Sequence, residues 1–171
     1  MRISSGIAAD ANVTDREARL VGVIRSEWHR RVRASQGFYG LTDNGPSVGN
    51  YTHVQLLNPA ASGITVLVYR ISLARPTGVG FINVRRDAVA RATLSANTGN
   101  LVLGAAAPLG QLRSENNAVQ QGVIIGIIDA AATLEPVFPD WCFELGAGEG
   151  ITFEPAATNV EIGALLLWVE F

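Results

Sequence analysis

The last dozen residues constrain the fold most. From Val160 to Phe171 the chain reads Val-Glu-Ile-Gly-Ala-Leu-Leu-Leu-Trp-Val-Glu-Phe, a pattern with a period of two. Successive side chains of a strand point to opposite faces, so Ile162, Ala164, Leu166, Trp168 and Glu170 share one side. Glu161, Gly163, Leu165, Leu167, Val169 and Phe171 share the other. Both rows carry large apolar groups, and a strand apolar on both faces has to be covered on both. One row belongs to a domain core; the other is expected to meet a covering arm or a neighbouring subunit.

Much of the remaining chain repeats this grammar. Short apolar runs bounded by Gly, Pro or Asn predict strands at 51–57, 64–74, 79–85, 101–104, 123–128, 141–145 and 151–154. In the second of these, Ile64, Val66, Val68 and Arg70 alternate with Thr65, Leu67, Tyr69 and Ile71. Residues 37–49 are turn-rich, with Asp43-Asn44-Gly45-Pro46 the clearest turn. Ala88 to Ala92 suits a single helical turn. Residues 1–13 suit an extended arm. In 14–35, Thr14-Asp15-Arg16-Glu17 has the form of a capping box, whereas 19–24 is β-branched and interrupted by glycine. The expectation there is a strand at 19–24 followed by a short helical piece at 26–34. Several short strands with no long helix between them exclude a doubly wound α/β fold and favour a sandwich. The predicted class is therefore all-β: an antiparallel, jelly-roll-like β-sandwich over 37–171, preceded by an arm and first strand or short helix over 1–36.

Composition sharpens the question of what covers the second row. Of 171 residues, 48% are hydrophobic and 16% charged, more apolar than a typical soluble monomer. The surplus is expected to be buried against partner subunits. No run approaches the roughly 18 apolar residues of a membrane span, and 1–15 lacks a leader's apolar centre; the chain reads as soluble, without a membrane partner or cleaved leader. Charge is uneven. Residues 1–33 hold seven arginines against four acids, while 115–171 hold nine acids and no basic residue. So acidic a half disfavours nucleic acid as a partner. A basic arm lying on an acidic neighbour is the better expectation, with charge setting register more than affinity.

Candidate chemistry is sparse. His29 and His53 form no H-x-x-x-H pair, and His29 sits among arginines that repel a cation. Cys142, the single cysteine, lies between Trp141 and Phe143, an apolar setting that raises a thiol pKa. Glu135, Asp140, Glu144, Glu149, Glu154 and Glu161 fall at predicted turns and solvent-facing strand positions. A glycosidase needs two carboxylates at a set separation, which a sequence does not show. Gly146-Ala147-Gly148-Glu149-Gly150 lacks the Lys-Ser/Thr of a phosphate loop and reads as a turn. The expectation is no catalytic residue, no metal and no cofactor, hence a protein that is not an enzyme.

Arg25-Ser26-Glu27-Trp28-His29-Arg30, Gly37-Phe38-Tyr39, the run Val54-Gln55-Leu56-Leu57-Asn58-Pro59 and the terminal Leu166-Leu167-Trp168-Val169-Glu170-Phe171 together resemble a loose group of tailed-bacteriophage virion proteins. The resemblance runs in short patches over most of 14–171 and departs at Glu144-Leu145-Gly146-Ala147-Gly148, which lacks the group's proline. It implies a jelly-roll-like virion component, a homotrimer on the head surface or tail, touching the major capsid protein or another virion protein. A capsid decoration protein reinforces a shell by burying apolar area and ordering an arm. The contact residues expected here are Arg16, Arg19, Arg25, Arg30, Arg31 and Arg33 on the arm, with Leu165, Leu167, Val169 and Phe171 on the terminal strand. The alternative is a tail-associated receptor- or carbohydrate-binding module, with Trp28, Trp141 and Trp168 as stacking faces.

Overall fold

The computed structural model describes residues 29–76, 78–132, 135–137 and 143–171, with the side chains of 135–137 left aside. These residues form β1 (Gly37–Asn44), β2 (Tyr51–Leu57), β3 (Val66–Ala74), β4 (Gly80–Arg86), β5 (Thr93–Leu94), β6 (Thr98–Asn100), β7 (Gln111–Asn117), β8 (Val123–Ala130), β9 (Glu135–Val137), β10 (Phe143–Leu145), β11 (Gly150–Pro155) and β12 (Ile162–Glu170). Helical turns at 29–33 precede them. Sheet A runs β10-β3-β12-β1-β6, with β9 also on β3; sheet B runs β5-β7-β2-β11-β4-β8. Every pairing is antiparallel. The chain is thus the all-β, two-sheet antiparallel sandwich that the sequence predicts.

Consecutive long strands alternate between the layers: β1 in A, β2 in B, β3 in A, β4 in B. The alternation resumes from β8 in B through β10, β11 and β12. The intervening β6 and β7 widen the two sheets at the same side, next to β1 and β2 respectively.

The core forms where the inward rows meet. Val54, Leu56, Ile82, Val84, Ile151 and Phe153 come from sheet B, and Phe38, Val66, Ile71, Leu73, Leu166 and Trp168 from sheet A. β12 lies at the middle of its sheet, between β3 and β1, and buries Ile162, Ala164, Leu166 and Trp168 completely. Trp168 stacks on Phe38 at 6.2 Å between ring centroids. A Cβ at Gly40 would stand 2.8 Å from Leu112 and 3.1 Å from the Trp168 ring, so only glycine lets the indole lie flat there. Glu170 ends the same inward row and is buried. Its carboxylate accepts from Trp168 Nε1 (2.9 Å), Gly110 N (2.8 Å) and Leu109 N (3.0 Å), which satisfies the charge and fastens the loop before β7.

The Leu56-Leu57-Asn58-Pro59 motif acquires a physical reason. Asn58 is fully buried, donating through Nδ2 to Ile64 O (2.8 Å) and Leu145 O (2.9 Å) while Ser62 Oγ donates to its Oδ1 (2.6 Å). One amide therefore locks the β2–β3 turn to β10.

Several expectations need correction. The stretch 37–49, expected as turns, contains β1; its glycines serve close approach rather than bending, and the turn itself starts at Gly45. Residues 101–104, expected as a strand, are a turn after β6, held by Val102 N donating to Asn100 Oδ1 (2.8 Å). The simple alternation of 64–74 breaks at Tyr69, where the register against β12 shifts. A bulge resets the faces. Ile71 and Leu73 consequently join Val66 and Val68 inside, whereas Arg70 is exposed. Ala88–Ala92 is irregular, not helical. The strand expected at 19–24 lies outside the described residues, as do residues 141–142 of the expected 141–145 strand; 29–33 agrees with the expected helical piece at 26–34.

Candidate functional site: the two outer faces

Each sheet turns one face away from the core, and the two differ in chemistry. On sheet B, His53 and Gln55 from β2, Thr152 and Glu154 from β11, and Asn83 and Arg85 from β4 alternate with the core residues of those strands. All six are buried. Two segments roof them. In 87–92, Gln55 Nε2 donates to Val89 O (2.9 Å), Arg91 N donates to Gln55 Oε1 (3.1 Å), and Arg91 pairs with Asp87. In 120–122, Arg85 donates to Gly122 O (3.0 Å) and Gln120 Oε1 (2.9 Å), while Arg91 donates to Gln121.

Beneath that roof, His53 Nε2 lies 2.5 Å from Glu154 Oε2, and Arg85 Nε lies 3.3 Å from Glu154 Oε1. A histidine–carboxylate pair is the stuff of general acid–base catalysis. Here both side chains have no exposed surface, so a substrate does not reach them in this conformation. Sequence spacing gave no hint of the pair, because 101 residues separate its members. Glu154, expected to face solvent, is instead the buried anion of this layer. Its position between His53 on one neighbouring strand and Arg85 on the other accounts for that.

The outer face of sheet A has an apolar row across β1 and β12, flanked on β3 by Arg70 and Ser72. Tyr39 and Leu41 of β1 stand opposite Leu167 and Leu165 of β12. Tyr39 and Leu41 are 39% and 45% exposed, and the two leucines are half-buried. The row continues to Val169 and Phe171. Val169, expected as a surface contact, is fully buried opposite Gly37. The helical turns at 29–33 reach this end of the sheet, since a Cβ on Gly37 would meet Val32 at 2.6 Å. The Arg31 guanidinium lies 4.4 Å over the Phe171 ring, and Phe171 remains 47% exposed. Arg30 and Arg33 are exposed on the same turns; Arg16, Arg19 and Arg25 lie outside the described residues. The structure therefore brings Arg31 to Phe171 and lines up Leu165 and Leu167 with Tyr39 and Leu41. The two β1 residues escaped the sequence because a stretch with glycines at 37, 40, 45 and 49 read as turn.

A cleft of about 210 Å³ lies between the sheets near Arg86, Ile125, Phe143, Glu144 and Glu149, below the roughly 300 Å³ at which small-molecule sites begin. At its mouth Arg86 pairs with Glu149. The backbone N–H of Gly146, then the Arg86 guanidinium, hold the Glu149 carboxyl below the usual range. Among the described residues no group of three or more His, Cys, Asp or Glu is placed to hold a metal ion, and no helix is long and apolar enough to cross a membrane. Compared with known protein families, curated proteins and solved structures, the chain matches none.

Proposed function

We propose that this chain is a structural protein that works by assembling, and that its setting is a bacteriophage virion, as a capsid decoration or head-associated protein. The observation that carries the assembling role is the outer face of sheet A. Tyr39, Leu41, Leu165, Leu167 and Phe171 form one partly exposed apolar row on the sheet's central strands. A contiguous apolar face marks a contact with another macromolecule. We assign that partner as a shell protein of the particle, with the arginine-bearing turns beside Phe171 as the polar rim. The virion setting draws on the resemblance carried by Arg25–Arg30 and the terminal strand, and on the strand order. We read the alternation of consecutive strands between layers as that of a jelly roll, an architecture shared by viral capsid and lectin domains.

The tail-associated carbohydrate-binding alternative finds less support. Trp168 is fully buried, so it offers no ring to a sugar, and Trp28 and Trp141 lie outside the described residues.

The direct test is the composition of particles made by a phage whose genome encodes this sequence. We expect the chain in those particles at a copy number in simple proportion to the shell protein. Its absence from the particles would refute the virion setting. Removing residues 1–18 should leave the sandwich folded and weaken attachment, with wild-type attachment losing strength as salt rises.

A further inference from the structure

We propose that β8 is a second contact surface and that its occupant is β8 of a second copy, joined antiparallel about a two-fold axis near Ile127. The premise is the assembling role proposed above, but the surface is a different one.

Each sheet edge exposes a row of unpaired backbone N–H and C=O groups, and proteins ordinarily blunt such edges. Among the described strands, the other edges are short. β5 has two residues, and β6, β9 and β10 have three each. β8 is the exception, with eight residues that among the described residues pair on one side only, to β4. It has no lysine, no arginine and no proline in Val-Ile-Ile-Gly-Ile-Ile-Asp-Ala; its edge protection is one bulge at Ile125 and the single charge of Asp129. The single irregularity, a register shift opposite Val84/Arg85, leaves a regular ladder from Gly126 to Ala130.

The side chains tell the same story. Val123, Ile124, Ile125 and Ile127 of β8, with Val79 and Phe81 beside them, are each 42–76% exposed. They lie on both faces of the edge, with Ile124, Ile127 and Phe81 on the side of Asn83 and Arg85 and Ile125 on the side of the cleft beside Phe143, so an added strand would cover apolar groups on each. A standard interface buries about 800 Å² per partner, and the exposed apolar side chains on both faces of the edge add to what the paired strand backbones would bury.

The occupant follows from the strand's own pattern. An unsatisfied strand edge is met by another strand, through main-chain hydrogen bonds. β8 has one charge, Asp129, and a two-fold axis at Ile127 sets Asp129 opposite Ile125 of the other copy. Self-pairing therefore opposes no like charges, a condition for a stable cross-strand contact. The result is a sheet running continuously from one copy into the next, an isologous contact that closes as a dimer.

The test is the full-length protein in sedimentation velocity, as wild type, Ile127→Lys and Ile127→Glu. Position 127 is exposed, so both variants should keep the wild-type far-ultraviolet circular dichroism and a cooperative unfolding transition, measured alongside, with the melting temperature lower only by the stabilisation that the dimer contact supplies. We expect a wild-type dimer, at least a 100-fold weaker self-association in each variant, and recovery of a heterodimer when the two are mixed, because Lys and Glu then face each other across the axis. A wild-type monomer or trimer, a variant that still dimerises, or a mixture that stays monomeric would each overturn the pairing. None of these touches the composition of the particles, so the two proposals fail separately.

Discussion

The two outer faces of the sandwich solve the same problem in opposite ways. Both sheets have central strands whose outward rows need cover. Sheet B fills its row with polar and charged groups and roofs them with its own segments, 87–92 and 120–122. Sheet A fills its row with Tyr39, Leu41, Leu165 and Leu167, and among the described residues only the end is covered, where the 29–33 turns meet Gly37 and Phe171. The polar face is finished within the chain. Among the described residues the apolar face stays partly open, and that difference is why we propose sheet A as the contact face rather than the more chemically suggestive His53–Glu154 pair.

The largest expected effect breaks the finished face. Glu154→Ala removes the anion from beneath His53 and Arg85 and leaves a buried cation without its partner. Loss of one member of a buried pair costs about 3–5 kcal/mol, read as a lowered denaturant midpoint at unchanged slope. A shift no larger than a surface substitution gives would mean that the layer is open to water. Attachment to particles should follow this variant only as far as its folded fraction does.

Smaller in stability but larger in attachment is the opposite experiment on sheet A. Leu165→Thr together with Leu167→Glu keeps residues compatible with a strand, and position 167 faces Arg70 across the ladder, so the acid meets a cation. Unfolding should move by about 1 kcal/mol or less, since neither leucine is fully buried. Phe171→Ala comes next. Losing the Arg31 stacking costs about 0.5–1 kcal/mol and should raise amide exchange in 29–33 while leaving the sandwich protected. Unchanged exchange there would show that the turns are held by other contacts.

The smallest effects are electrostatic. Desolvation, then the nearby Asp43, raises the Glu161 carboxyl above its ordinary 4.5, so ionised Glu161 opposes folding and the penalty lifts as pH falls through its raised value. Glu149 is depressed below 4.5. Its contribution is full above 4.5 and disappears only as pH falls through the depressed value. Glu161→Gln should therefore be neutral to slightly stabilising at pH 7, and Glu149→Gln slightly destabilising, by less than about 1 kcal/mol for a partly exposed pair. The reverse ranking at pH 7 would contradict both assignments.

How far the sequence discloses this contrast depends on which face is in question. Period-two patterning identifies β2, β11 and β12 because their inward rows are apolar, and it exposes the double apolar row of β12; β8 reads as a strand from its short apolar run alone, most of which is exposed. It does not identify β7, Gln111–Asn117, whose outward row is polar and whose inward row is only Leu112 and Ser114. β1 is hidden by Gly37 and Gly40, which are there to admit Val32 and the Trp168 ring. The roofed face of sheet B is invisible for a related reason. Polar residues on a strand read as solvated unless the segments that cover them are known, and 87–92 declares itself only through hydrogen bonds to Gln55, Asp87 and Arg91. The bulge at Tyr69 is likewise set by tertiary pairing with β12, not by local composition.

The most direct measurement is co-sedimentation of the Leu165→Thr/Leu167→Glu protein with particles of the encoding phage stripped of the native chain, beside wild type. The outward row of sheet A, as the docking face, predicts at least tenfold weaker attachment at a melting temperature within about 4 °C of wild type. Attachment equal to wild type by a folded variant would contradict it.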